Sequence, residues 1–203
     1  ISVSAFLLNR SSDLLVSSHL FVILQPNMTP QEYIQLKAFA RQDGALLALL
    51  WTGSLLCYIL GLTYPLLGIV ALILIVASPF FAANRLRHFR DYGREGVISF
   101  SRSYAYTILI YFYAGVLFAI AVYVYFAFLD KGFFLSKIME TFCSPEGREA
   151  IKAYGIEGQL EENIKFLSEM RPIDFALNML TINIITGFLL GVPIAAVMQR
   201  AKN

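Results

Sequence analysis

Between Gly44 and Asn84 the chain reads GALLALLWTGSLLCYILGLTYPLLGIVALILIVASPFFAAN, without one charged side chain. A single helix over this run would reach about 60 Å at 1.5 Å per residue, roughly twice the hydrocarbon thickness of a bilayer. The run therefore has to fold back once. Gly61, Thr63, Tyr64 and Pro65 supply the breakers for that turn. The reading places a first span over residues 44–62 and a second over 66–84, with Pro79 kinking the last turn of the second.

Two more stretches repeat the pattern. No charge occurs from Ser103 to Leu129 or from Phe175 to Gln199. They give a third span at 104–129 and a fourth at 172–198, the latter opened by Arg171-Pro172, since proline is tolerated in a first helical turn. The whole chain is 15% charged and 58% hydrophobic, with a mean hydropathy of +0.65. A soluble domain carries about 25% charge. The expected fold class is an all-α integral membrane protein with four transmembrane helices, forming a single domain over residues 28–203. Two cysteines, Cys57 in a span and Cys143 in a polar segment, read as free thiols.

The flanking segments differ in character. Residues 1–27 hold two short apolar patches broken by Asn9, Arg10 and Asp13, and lack a basic start ahead of a continuous apolar core, so they make a poor signal peptide. They read as a non-native or disordered extension ahead of a natural start at Met28, with a genuine N-terminal arm as the alternative. Thr29-Pro30 then starts a short amphipathic helix over Gln31–Asp43, with Tyr33, Ile34, Leu36, Ala38 and Phe39 on the membrane interface and Lys37 and Arg41 towards water. Residues 130–171 are polar, net acidic and too long for a bare loop. Phe134, Ile138 and Phe142, then Leu160, Ile164, Leu167 and Met170, recur at helical spacing. Two or three short amphipathic helices are expected there, outside the cytoplasm.

The stretch NRLRHFRDYGRE, Asn84 to Glu95, fixes the orientation. Short loops rich in Lys and Arg stay in the cytoplasm. Arg85, Arg87, Arg90, Arg94 and Arg102 lie between the second and third spans, Lys37 and Arg41 before the first, and Arg200 and Lys202 after the fourth. Four spans put all of them on one side, so both termini are expected in the cytoplasm. On a helix, Arg87, Arg90 and Arg94 share one face while Leu86, Phe89 and Tyr92 share the other, which suits contact with lipid headgroups or with a partner. Nucleic acid does not fit a short cluster held against a bilayer. His88 reads as a surface histidine.

Chemistry is harder to find. The spans hold no ionisable group in their interiors, and Asp43, Asp130 and Asp174 fall at span ends, where water is expected. That counts against pumps and proton-coupled transporters. No HExxH, GxSxG or paired-cysteine motif is present, Glu161 and Glu162 are adjacent and diverge on a helix, and no cofactor is implied. Small residues carry a clearer signal. Asn183, Gly187, Gly191 and Ala195 recur every four residues and make one smooth face for close helix packing. Gly53, Cys57 and Gly61 make a similar stripe on the first span. Asn178, Thr181, Asn183 and Thr186 are expected to hydrogen-bond neighbouring helices. Tyr104, Tyr106, Tyr123 and Tyr125 are expected in interfacial belts.

ARQDG before the first span, RLRHFRDYGREGVISFSRSYAY entering the third, the long acidic segment and RPIDFALNMLTINIITGFLLG in the fourth together resemble a Bacteroidota inner-membrane family, domain of unknown function 4199. The resemblance runs over about residues 28–202, and its most recognisable piece is GVISFSRSYAY. It carries no catalytic residues over. Members of that family are often encoded beside polyprenyl-phosphate glycosyltransferases, which implies envelope or lipid-linked sugar work. Membrane lipids and another membrane protein, such as a lipid-linked sugar enzyme, are then the expected partners. Three functions remain open: a non-enzymatic accessory or scaffold, a small-solute or lipid transporter, and a lipid-modifying enzyme sited at the arginines.

Overall fold

The structure is a computed structural model that describes residues 28–155 and 157–200. The expected extension over residues 1–27 lies outside the described residues. Seven α-helices follow in order: α1 Pro30–Gly61, α2 Pro65–Gly93, α3 Phe100–Val124, α4 Phe133–Cys143, α5 Pro145–Tyr154, α6 Glu157–Glu169 and α7 Pro172–Met198. Four of them, α1, α2, α3 with its continuation to Leu129, and α7, are long and apolar enough to cross a membrane. The chain is a multi-pass membrane protein by these four helices. The predicted turn between the first two spans is present, and Gly61 is where it is tightest. A Cβ on Gly61 would stand 2.5 Å from the backbone nitrogen of Gly68, so only glycine lets the two chains pass this closely.

α3 is the centre of the bundle. It packs along α1 on one side and α7 on the other, while α2 packs along α1 and meets α3 and α7 only locally. Burial follows from that order. Some 44% of the most apolar window of α3 is buried, against 17% of α2, and α2 turns Leu66, Leu72, Ile73, Val76 and Phe80 outward. In a bilayer such a face meets acyl chains at no cost, which is why α2 needs no polar outer stripe.

α1 and α2 continue well past their uncharged runs, which together cover only residues 44–84. α1 has 32 residues and α2 has 29, about 48 and 44 Å long against a core of about 30 Å. The Gln31–Asp43 segment is thus not a separate interfacial helix. No breaker separates it from the span, and Thr29 and Glu32 form a capping box that starts one continuous helix at Pro30. Leu36 and Ala40 are buried in the same core as Leu86, Phe89, Ile98 and Tyr106. Of the expected interfacial face, Leu36 and Phe39 cover protein, while Ile34 and Ala38 stay exposed.

At the opposite end, residues 130–171 fold into α4, α5 and α6. Ser144 caps α5 by accepting from the Gly147 N–H at 3.0 Å, and Gly155 ends it with a φ of 64°. Arg171 opens α7 by donating from its backbone N–H and its guanidinium to Asp174, each at 2.9 Å.

Candidate functional site

Asp43, Arg85 and Tyr106 come from three different helices and meet at the level where the apolar runs of α1 and α2 end. Asp43 is 1% exposed. Its Oδ1 accepts from Arg85 Nε at 2.6 Å and lies 2.5 Å from Nη2. Its Oδ2 accepts from the hydroxyl of Tyr106, whose ring stacks on Phe89 at 4.6 Å. Gly44 makes the site compact, because a Cβ there would stand 2.8 Å from that of Tyr113 and 3.0 Å from the carbonyl of Ile110 on α3. A carboxylate can be buried here because both oxygens are satisfied and a cation sits beside it.

One helical stub further out, Glu32 makes a second junction. It accepts from Arg94 Nη1 at 2.7 Å, from Arg102 Nη2 at 3.1 Å and from the Thr29 N–H at 2.9 Å. Glu32 lies about 18 Å before the apolar run of α1. The Thr29 N–H and then Arg94 hold its carboxyl down at about 2. Gln35 adds a bond to the carbonyl of Gly93. The fourth span joins through its end. Arg90 Nη1 donates to the carbonyl of Met198 at 3.2 Å, and Ile98 and Arg200 exchange two backbone hydrogen bonds as an antiparallel bridge. All four spanning helices are thereby tied together at one end.

The five arginines predicted as a headgroup or partner surface are therefore split. Arg85, Arg90, Arg94 and Arg102 each bond a partner inside the chain, and Arg87 stays 65% exposed with Asp91 at 3.6 Å. The expected division into an arginine face and an apolar face does not hold: Leu86 and Phe89 are buried, yet Tyr92 is exposed and lies against His88, while Arg90 and Arg94 turn inward because acidic and carbonyl oxygens await them. Water does not reach Asp43 as expected of a span end, nor does Tyr106 sit in an interfacial belt. The sequence reading missed Asp43, Glu32 and Tyr106.

The small-residue face of α7 lies against α3. A Cβ on Gly187 would stand 2.6 Å from that of Tyr111, and one on Gly191 would stand 2.9 Å from the Tyr104 ring. Asn183 packs over Gly115, and Ala195 is fully buried. The polar side chains of α7 do less than expected. Thr181 bonds its own helix at Leu177, and the buried Asn183 Nδ2 has no hydrogen-bond partner among the described residues. On α1, Gly61 meets Gly68, but nothing lies within 4 Å of a Cβ on Gly53. Ser54 instead bonds the carbonyl of Ala71 on α2.

Chemically the arginine end is a set of ion pairs within the chain, in which the buried Arg94 Nε is left without a hydrogen-bond partner among the described residues. Among the described residues no group of three or more His, Cys, Asp or Glu could hold a metal ion. No curated protein and no solved structure matches the chain. A family description, protein of unknown function DUF4199, matches residues 44–200, beginning one residue after Asp43 and taking in every spanning helix, the five arginines and the glycine face of α7. The chain belongs to this DUF4199 family.

Proposed function

We propose that this chain is a non-enzymatic accessory or scaffold protein of the bacterial inner membrane, with both termini cytoplasmic, serving envelope or lipid-linked processes beside another membrane protein. The observation that carries the reading is the engagement of the charged groups. Arg85, Arg90, Arg94 and Arg102 are spent on joining helix ends, which builds a rigid stub beyond the membrane and leaves no arginine-centred acid–base pair poised for a substrate. Lys37, Arg41 and Arg87 remain on the outside of that stub, where anionic headgroups attract them. Their common position supports a cytoplasmic placement of that end.

Two measurements test the proposal. Reporter fusions after Asp91 and after Glu157 are expected to report opposite compartments, with Asp91 inside. Deleting the chain is expected to lower the membrane level of a lipid-linked sugar enzyme crosslinked to it, and an Arg87→Ala/His88→Ala variant is expected to restore that level. Turnover of a lipid-linked substrate by the purified chain alone in nanodiscs would instead establish an enzyme.

A further inference from the structure

At the end remote from the arginines, α3 widens into one π-turn, Tyr125–Leu129. The chain then reverses through Lys131 and Gly132, with φ of 45° and 83°, into α4. Asp130 holds the reversal. Its carboxylate accepts from the Tyr125 hydroxyl at 3.0 Å, the Gly132 N–H at 3.0 Å and the Phe134 N–H at 2.9 Å. All three donors are neutral. Asp130 is only 8% exposed, and among the described residues no Lys or Arg forms an ion pair with it. Asp43, buried at the other end, has its arginine. Asp130 has none.

A cavity of about 170 Å³ opens beside this carboxylate, walled by Phe126, Phe134, Phe175, Leu167 and Met170. Phe126 and Phe175 stack at 4.1 Å, and Phe134 stands edge-on to both at 5.5 and 6.3 Å. The chemistry of this lining selects its ligand. A negative wall repels anions. One carboxylate is too few oxygens for calcium or magnesium, which take six or more ligands. A carboxylate has about four acceptor positions, and three are filled, so one charge-assisted bond remains to be made. Aromatic rings favour a cation that carries its own apolar body. The exposed Phe128, Leu129 and Ile173 neighbour the lining residues Phe126, Asp130 and Pro172 in sequence, where the apolar lengths of α3 and α7 end.

We propose that this cavity binds an alkylammonium group, the charged end of an aminolipid headgroup or a free alkylamine, with Asp130 as its counter-ion and the three phenylalanines as its wall. The proposal stands apart from the accessory role and survives the failure of that reading.

The test uses the full chain in mild detergent. Phosphatidylethanolamine and phosphatidylglycerol of identical acyl chains are titrated by native mass spectrometry, and ethylammonium chloride against sodium chloride by thermal shift. Asp130→Asn removes the charge while keeping an acceptor for the α4 turn. Leu167→Trp fills the cavity and leaves that turn untouched, so it stays informative if Asp130→Asn folds poorly. Phosphatidylethanolamine is expected to bind at least tenfold more tightly than phosphatidylglycerol, with the preference lost in both variants. An Asp130-dependent stabilisation by ethylammonium without a lipid preference would assign the site to a free amine. No preference for either amine over its control, or a preference that persists in a folded variant, would overturn the proposal.

Discussion

Asp43→Asn isolates the central ion pair. The substitution keeps the shape of the side chain and an oxygen for Arg85 or Tyr106, but removes the charge that the Arg85 guanidinium faces at 2.5–2.6 Å. Breaking a fully buried pair by deleting one partner costs about 3–5 kcal/mol, since the other charge is left uncompensated. Arg85 retains 23% side-chain exposure, so water recovers part of its hydration. We expect a loss of about 2–3 kcal/mol on that ground. Replacing both partners by leucine removes the desolvation cost along with the attraction, and such swaps are often neutral or stabilising. Asp43→Leu/Arg85→Leu still leaves the buried Tyr106 hydroxyl without its acceptor, and is therefore expected about 1–3 kcal/mol below the parent, yet more stable than the sum of its single variants predicts. Trp51, the one tryptophan of the chain, reports the unfolding. It sits two turns along α1, edge-on to Tyr111 at 5.5 Å and Phe118 at 5.8 Å, so SDS titration followed by its fluorescence reads the α1–α3 contact directly. A loss below about 0.5 kcal/mol for Asp43→Asn, the range of an ordinary surface substitution, would refute the reasoning. Strict additivity in the double variant would refute it as well, because contacting residues should couple.

The glycine face of α7 should respond unevenly. Gly187→Ala forces a methyl against the Cβ of fully buried Tyr111, which cannot swing away, and thermal melting in detergent is expected to show a loss of about 1–3 kcal/mol. Gly191→Ala meets the far edge of the half-buried Tyr104 ring, which can rotate, and should lose less; the reverse order would count against the packing. Glu32 gives a pH signature. Its carboxyl is held at about 2 against an ordinary 4.5, so the stability it contributes is complete above about 4.5 and is lost as pH falls through about 2. The stability gap between the parent and Glu32→Gln should be constant from pH 7 to 5 and shrink below 4.5. A gap that stays constant through pH 3 would show that the Glu32 charge is not what matters.

The spans were legible because the bilayer imposes a length and forbids charge, and both constraints are local in sequence. The ion pairs were not, since they join residues far apart. One signal was nevertheless present. Asp43 and Arg85, 42 residues apart, lie equally far on either side of Tyr64, and so do Gln35 and Gly93, 58 apart. A tight antiparallel hairpin about Thr63–Tyr64 must bring such positions level, so the turn that the sequence placed correctly also specified that an acid would meet a base. Tyr106 and Arg102 offered no such guide. Their partners lie on α1, and the register of α3 against α1 is set by packing at Gly44, Ile110 and Tyr113, not by a turn.

The same arginines can serve as a topology signal and as internal partners because the two roles act at different times. Before α1 and α2 pack, Asp43 and Glu32 are apart from their bases, and positive charge in a short loop favours its retention on the cytoplasmic side. Once the hairpin closes, Arg85 and Arg94 find carboxylates on α1, Arg102 joins them when α3 docks, and moving this end across the membrane would require breaking these pairs as well as moving charge through lipid. Association of spans in a bilayer lacks a hydrophobic drive and depends on packing and polar contacts. Here close packing is supplied by Gly44, Gly61 and Gly187, and the ion pairs between spans are gathered at one end. The outward face of α2 is mostly unburied, so α2 is held by its α1-facing side, at Gly61 and through the Ser54–Ala71 bond, while α3 is held between α1 and the glycine face of α7.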